Sequence, residues 1–214
     1  MSTELFLQRA IVAIVILGVS FPIHEFSHAF AAFYLGDSTA RHLGRLTLNP
    51  IAHFDPVGGT LLAVSVLVGG GFGWAKPTPV NPMNLRGGKW GGALVAAAGP
   101  ISNLVLAVAG AIPLRFMLAT GTGPPILQGI LAIFVEINLL LMVFNLIPIP
   151  PLDGSAVLFA FLPPSTAWQL RGVLSQYGLF LLILLIFPIF GGTSLLSVVF
   201  RAIIDPLFHL LVGQ

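Results

Sequence analysis

The chain contains no cysteine. Disulfides, iron–sulfur clusters and thiolate metal sites are thereby excluded, so any metal must be held by His, Asp or Glu. Charge is scarce as well. Asp, Glu, Lys and Arg make up 7% of 214 residues, against about 25% in a soluble globular chain. The nine basic residues are scattered, which leaves no basic patch for a nucleic-acid partner. There is no internal repeat, no low-complexity linker, no appended soluble domain and no G-x-S-x-G serine motif. What is present is apolar: 57% of residues are hydrophobic and the mean hydropathy is +1.01. A deficit of charge this deep means that lipid replaces water over much of the surface. The expected fold is an all-α polytopic membrane protein with about four to six membrane helices.

Apolar runs of membrane-spanning length, near the ~20 residues a helix needs, lie at roughly 5–33, 91–117, 125–147 and 172–190. The first is read as a span and not a removable signal peptide. It has a basic residue inside the run, lacks a small-x-small cleavage site and leads directly into FPIHEFSH. Segment 57–73, VGGTLLAVSVLVGGGFG, is shorter and glycine-rich. It reads as a poor helix and better as a re-entrant loop or β-hairpin. In 193–213, Arg201, Asp205 and His209 share one helical face, as in an amphipathic helix that spans or lies on the membrane. The expected organisation is one integral-membrane domain over 1–214, with a catalytic core at about 5–155 and C-terminal helices at about 156–214.

Chemistry concentrates in His24-Glu25-Phe26-Ser27-His28, an H-E-x-x-H motif. On a helix the two histidines occupy one face and can reach one ion. Glu25 between them is placed to take a proton from a water and pass it to a leaving amine. The motif lies in an otherwise apolar span, where ionisable groups are costly and usually functional. A third ligand is needed. Glu136 sits mid-helix among apolar residues, which favours an interhelical contact over ligation. Asp153 follows three prolines, where irregular backbone at membrane depth would line a cavity. It is either a ligand or a loop residue in an Asx turn with Gly154. If 57–73 turns back without crossing, Asp153 arrives on the same side as His24 and His28. That side carries Arg41, Arg45, Lys76, Arg86 and Lys89, which by the positive-inside tendency makes it cytoplasmic.

These residues resemble the site-2 protease family of intramembrane zinc metalloproteases. Three features match across about 20–155: HEFSH (24–28), Gly99-Pro100-Ile-Ser-Asn103, and NLIPIPPLDG (145–154). GRLTLNPIAHFDPVGG (44–59) is similar to the compact prokaryotic branch, without a PDZ or CBS domain. The resemblance implies one zinc ion per chain with Asp153 as the third ligand, and a re-entrant segment after the first catalytic helix. It implies cleavage of membrane-protein substrates in or near their transmembrane segments, in the cell membrane. It also implies that Asn145 orients substrate or stabilises an oxyanion. The alternative of another class is a membrane metal transporter or non-catalytic metal-binding protein. Gly91, Gly92, Ala96 and Gly99 are read as close-packing residues, His42 and His209 as solvated, and His53 as solvated or as part of a polar site near the catalytic mouth.

Overall fold

The computed structural model describes residues 3–68, 73–186 and 194–213. Helices α1 (Thr3–Val15) and α2 (Phe21–Tyr34) are joined by a π-helical turn, Ile16–Ser20, into one apolar span, Phe6–Tyr34. Two single-turn helices follow, α3 (Thr39–His42) and α4 (Pro50–His53), and then α5 (Pro56–Val68). The remaining helices are α6 (Lys89–Thr120), α7 (Pro125–Asn145), α8 (Asp153–Phe161), α9 (Pro164–Ile186) and α10 (Leu195–Val212). Among the described residues, five helical stretches are long and apolar enough to cross a membrane: Phe6–Tyr34, α6, α7, α9 and α10. The all-α polytopic expectation holds, and no strand occurs among the described residues. The span expected at 172–190 begins earlier, at Pro164, and residues 187–190 lie outside the described set.

Segment 57–73 departs from the loop or hairpin expectation, because residues 56–68 form a helix. Its start is well specified. The Asp55 carboxylate accepts from the N–H groups of Val57 (3.0 Å) and Gly58 (2.7 Å), and Pro56 takes the first helical position. The glycines there serve packing. A Cβ on Gly59 would fall 2.2 Å from the Phe54 ring, and one on Gly58 2.5 Å from Trp74. Residues 69–72 of the segment lie outside the described set. Thirteen residues of α-helix rise about 20 Å, short of the ~30 Å hydrocarbon core. The chain also comes back to where it entered, with Trp74 N–H donating to Gly58 O at 3.4 Å.

Helices α6, α7 and α10 pack through Ala107, Ala111 and Leu114, Val135, Leu139 and Val143, and Ile204 and Val212. Arg201, Asp205 and His209 of α10 are exposed. A second cluster joins Val15 and Ile16 to Leu62 and Val66 of α5 and to Ile137 and Leu141 of α7. Helix α5 therefore packs mainly against the first span, with α7 sharing the cluster. Many large apolar side chains face outward, such as Val105, Ile112, Leu179 and Phe180, as a lipid-facing surface requires.

Segment 74–88 runs as a strap from α5 to α6 and is tied to the end of α2. Arg86 N–H donates to Leu35 O (2.8 Å) and its guanidinium to Tyr34 O (2.7 Å), which satisfies carbonyls the helix leaves open. Asp37, fully buried, accepts from Asn81 N–H, the Asn84 amide, and both the N–H and hydroxyl of Thr39. Burial alone would raise the Asp37 pKa, but these four donors outweigh it and hold the carboxyl at about 2, below its ordinary 3.8.

Candidate metal centre

Helix α2 carries His24 and His28 one turn apart, both buried, toward α6 and the start of α8. Their Nε2 atoms are 3.0 Å apart. Asp153, the first residue of α8, brings Oδ2 to 3.2 Å from His24 Nε2 and 3.3 Å from His28 Nε2. The three atoms form a nearly equilateral triangle. Two ligand atoms on a tetrahedral zinc, each about 2.0–2.1 Å from it, lie about 3.3–3.4 Å apart. The donor set therefore has the spacing of three corners of a zinc tetrahedron.

The charge pattern agrees. His28 Nδ1 lies 2.7 Å from Val95 O, and a carbonyl only accepts, so the proton of a neutral His28 is on Nδ1 and its Nε2 offers a bare lone pair. Asp153 Oδ2 is buried and has no hydrogen-bond donor. Two electron-rich atoms facing each other in a buried site are unfavourable until a cation sits between them. His24, His28 and Asp153 are the one such ligand group among the described residues.

The backbone at Asp153 explains its placement. After α7 the chain folds tightly through residues 146–152, with Ile149 N–H on Ile147 O and Leu152 N–H on Ile149 O. Gly154 permits the close return, since a Cβ there would fall 2.1 Å from Leu146 O. Gly99 of α6 forms the floor. A Cβ on Gly99 would lie 2.5 Å from His24 Cε1 and 2.5 Å from His28 Nε2. Close packing alone had been expected of Gly99. It in fact abuts both imidazoles.

Glu25 is buried beside His24 and faces the same cavity of about 1750 Å³ that His24, His28 and Asp153 line. Its Oε2 accepts from Thr78 N–H at 2.8 Å, and its backbone carbonyl accepts from the Thr78 hydroxyl at 3.0 Å. Arg45, also buried, donates to the carbonyls of Lys76 and Pro77 on the same strap. Burial draws its guanidinium below the ordinary arginine value, with the Glu25 carboxylate opposing. Thr78 carried no signal in the sequence and Arg45 signalled sidedness alone, because both act through a tertiary contact of the strap.

Asn145 lines the cavity, and its amide donates to Leu141 O at 2.9 Å. Two expectations are corrected. Glu136 is exposed on α7, and Asn138, two residues on, is the buried polar residue of that turn. His53 is buried, not solvated, with Nε2 donating to Thr47 O at 2.7 Å.

A protein of Bacillus subtilis (strain 168) named "Putative zinc metalloprotease YwhC" is 39% identical to this chain over 212 residues, covering 91% of this chain and 93% of the relative. The chain belongs to the site-2 protease family. Two mycobacterial members carry the same designation with the name Rip2. The one from Mycolicibacterium smegmatis is 34% identical over 177 residues, covering 79% of this chain and 64% of the relative. The one from Mycobacterium tuberculosis (strain H37Rv) is 32% identical over 184 residues, covering 81% and 66%. No protein-family model and no solved structure matches the chain. This site-2 protease is thus a multi-pass membrane metalloprotease by kinship and by its apolar helices.

Proposed function

We propose that the chain is an intramembrane zinc endopeptidase that cuts membrane-protein substrates in or near their transmembrane segments. In this reading His24, His28 and Asp153 hold one zinc ion and Glu25 is the catalytic base. The triangle of Nε2, Nε2 and Oδ2 atoms at 3.0–3.3 Å, next to a buried Glu25, carries the reading. Bound there, zinc supplies Lewis acidity and lowers the pKa of a water at its open position.

The chain's own residues do the rest. Thr78 N–H fixes Oε2 of Glu25 and leaves Oε1 to take the proton of the attacking water and deliver it to the leaving amine. Arg45 holds the two carbonyls that immediately precede that N–H, those of Lys76 and Pro77, and so sets the position of Thr78. Asn145, on the cavity wall, is the candidate donor to the carbonyl oxygen of the scissile bond; turning to it means exchanging its bond to Leu141 O. A substrate helix must unwind locally, since a helical carbonyl is already hydrogen-bonded to its own chain. The cavity, lined by parts of α2, α7 and α8, has room for such an extended segment.

The exposed cations Arg41, Lys76, Arg86 and Lys89 flank the site side and favour a cytoplasmic active site in the cell membrane. The core at about 5–155 and the C-terminal helices at about 156–214 act as one domain. Glu25→Gln should keep the bound zinc and abolish cleavage of a reconstituted single-span substrate; retained turnover would remove Glu25 from its assigned role.

A further inference from the structure

We propose that Asn138 of α7 is a positioning residue of the metal centre, acting through Asn103 of α6 to decide which ring nitrogen of His24 faces the metal. Both asparagines are fully buried. His24 Nδ1 lies 2.7 Å from Asn103 Oδ1, Asn103 Nδ2 lies 3.0 Å from Asn138 Oδ1, and Asn138 Nδ2 lies 2.8 Å from Phe134 O. The three contacts form one line from the metal ligand to a backbone carbonyl two helices away.

The end of that line sets its direction. A peptide carbonyl has no proton to give, so Asn138 must present its NH₂ to Phe134. Its oxygen then faces α6 and can only accept, which turns the NH₂ of Asn103 toward it. The Asn103 oxygen is left facing His24 and requires a proton on Nδ1. Reversing either amide sets oxygen against oxygen in a site with no exposure, where an unpaired acceptor is costly. One polarity satisfies every atom, and it leaves the lone pair of His24 on Nε2, inside the ligand triangle. The other tautomer would point a proton at His28 and Asp153 and block the ion.

His28 reaches the same state by a shorter route, through Val95 O. His24 has no backbone carbonyl among its contacts and borrows one through two amides. A ligand whose second nitrogen is fixed by an outer partner is the usual arrangement in metal sites, and loss of such a partner weakens metal binding by about 10–100-fold. Here the partner is two residues long, which gives α7 a hold on a site to which it contributes no ligand. Nothing in the sequence around Asn138 marks it, since it follows Glu136 in an apolar helix.

The inference rests on zinc binding by the triad, and the test separates the two. Zinc affinity is measured by chelator competition on the purified full chain in detergent, for the parent, Asn138→Leu, Asn103→Leu and the double variant. Asn103→Leu should lose about 10–100-fold. Asn138→Leu should lose severalfold, and the double variant should bind no more weakly than Asn103→Leu alone. Packing damage at two separate places would instead add. Unchanged affinity in Asn138→Leu, or additive losses, overturns the proposal. If Asn138→Leu fails to fold, Asn138→Ser, too short to reach Asn103, carries the same comparison. On zinc-free protein with ¹⁵N-labelled histidine, His24 Nδ1 should carry a slowly exchanging proton in the parent and lose that protection in the Asn138 variant. A parent that takes up no zinc overturns the proposed function, and the Nδ1 measurement still decides the relay: a His24 Nδ1 without a protected proton in the parent sinks it.

Discussion

Replacing Gly99 with alanine puts a methyl group where two imidazoles already stand. The added Cβ would lie 2.5 Å from His24 Cε1, 2.5 Å from His28 Nε2 and 2.6 Å from His28 Cε1. Ordinary contact begins at 3.4 Å, so the rings or the α6 backbone must move by about 0.9 Å. Metal–ligand distances tolerate about 0.2 Å, so the displacement exceeds the tolerance severalfold at two of three ligands. Zinc affinity should fall by at least about 100-fold, or about 2.8 kcal/mol. Helix propensity argues the other way, since Gly→Ala within a helix ordinarily stabilises by about 0.5–1 kcal/mol. Gly129→Ala on α7, where a Cβ meets nothing within 4 Å, is the matched control and should leave zinc binding unchanged. The assay is zinc retained per chain after equilibration with graded chelator, beside thermal unfolding in detergent. A Gly99→Ala protein with parental zinc affinity would refute the placement of α6 against the two histidines.

Three further outcomes are expected. Asp153→Asn removes the one anionic ligand and should weaken zinc binding by more than about 10-fold with loss of cleavage; full occupancy and normal activity would mean that the third ligand is elsewhere. Thr78→Pro deletes the N–H that holds Glu25 Oε2, a charge-assisted bond worth about 1.5–3 kcal/mol, so kcat should drop about 10–100-fold with zinc retained; an unchanged kcat would show that Glu25 is oriented otherwise. The Asp37 carboxyl, held at about 2 against an ordinary 3.8, stabilises the fold at pH above about 4 and loses that contribution as pH falls through 2. The shift corresponds to about 2 kcal/mol. Asp37→Asn should therefore unfold at lower temperature than the parent at pH 6, with the gap narrowing toward pH 2; a gap that does not close on acidification contradicts the linkage.

Legibility in the sequence followed the range of the interactions. His24 and His28 were readable because one helical turn joins them. The spans at 91–117 and 125–147 were readable because lipid selects composition directly. Asp153 lies far along the chain and could be chosen only with a topological argument, whose premise, the return of the chain after α5, is met by the Trp74–Gly58 contact. The same segment was misread as non-helical because its glycines were weighed as helix breakers. Gly58 and Gly59 are instead sites where Trp74 and Phe54 lie against the helix, whose start Asp55 caps. Thr78 and Asn138 were silent, and Gly99 and Arg45 were noticed without their contacts, for one reason: each matters through a neighbour on another helix or on the strap, and local pattern does not say which helices meet. Glu136 shows the reverse error. A charge in an apolar run drew attention, yet it faces outward while Asn138, two residues on, points in.

The proposed function turns on a single zinc ion, held by His24, His28 and Asp153, that serves peptide cleavage within the membrane. The direct measurement is zinc content and cleavage on one sample: the purified chain in proteoliposomes with a single-span substrate, stripped by chelator and titrated with zinc, the cut site read by mass spectrometry. The expected result is no cleavage in the stripped protein, recovery that saturates at one zinc per chain, and a cut in or beside the transmembrane segment. Cleavage that persists in the stripped protein, or zinc uptake across the vesicle wall without any cleavage, would contradict it.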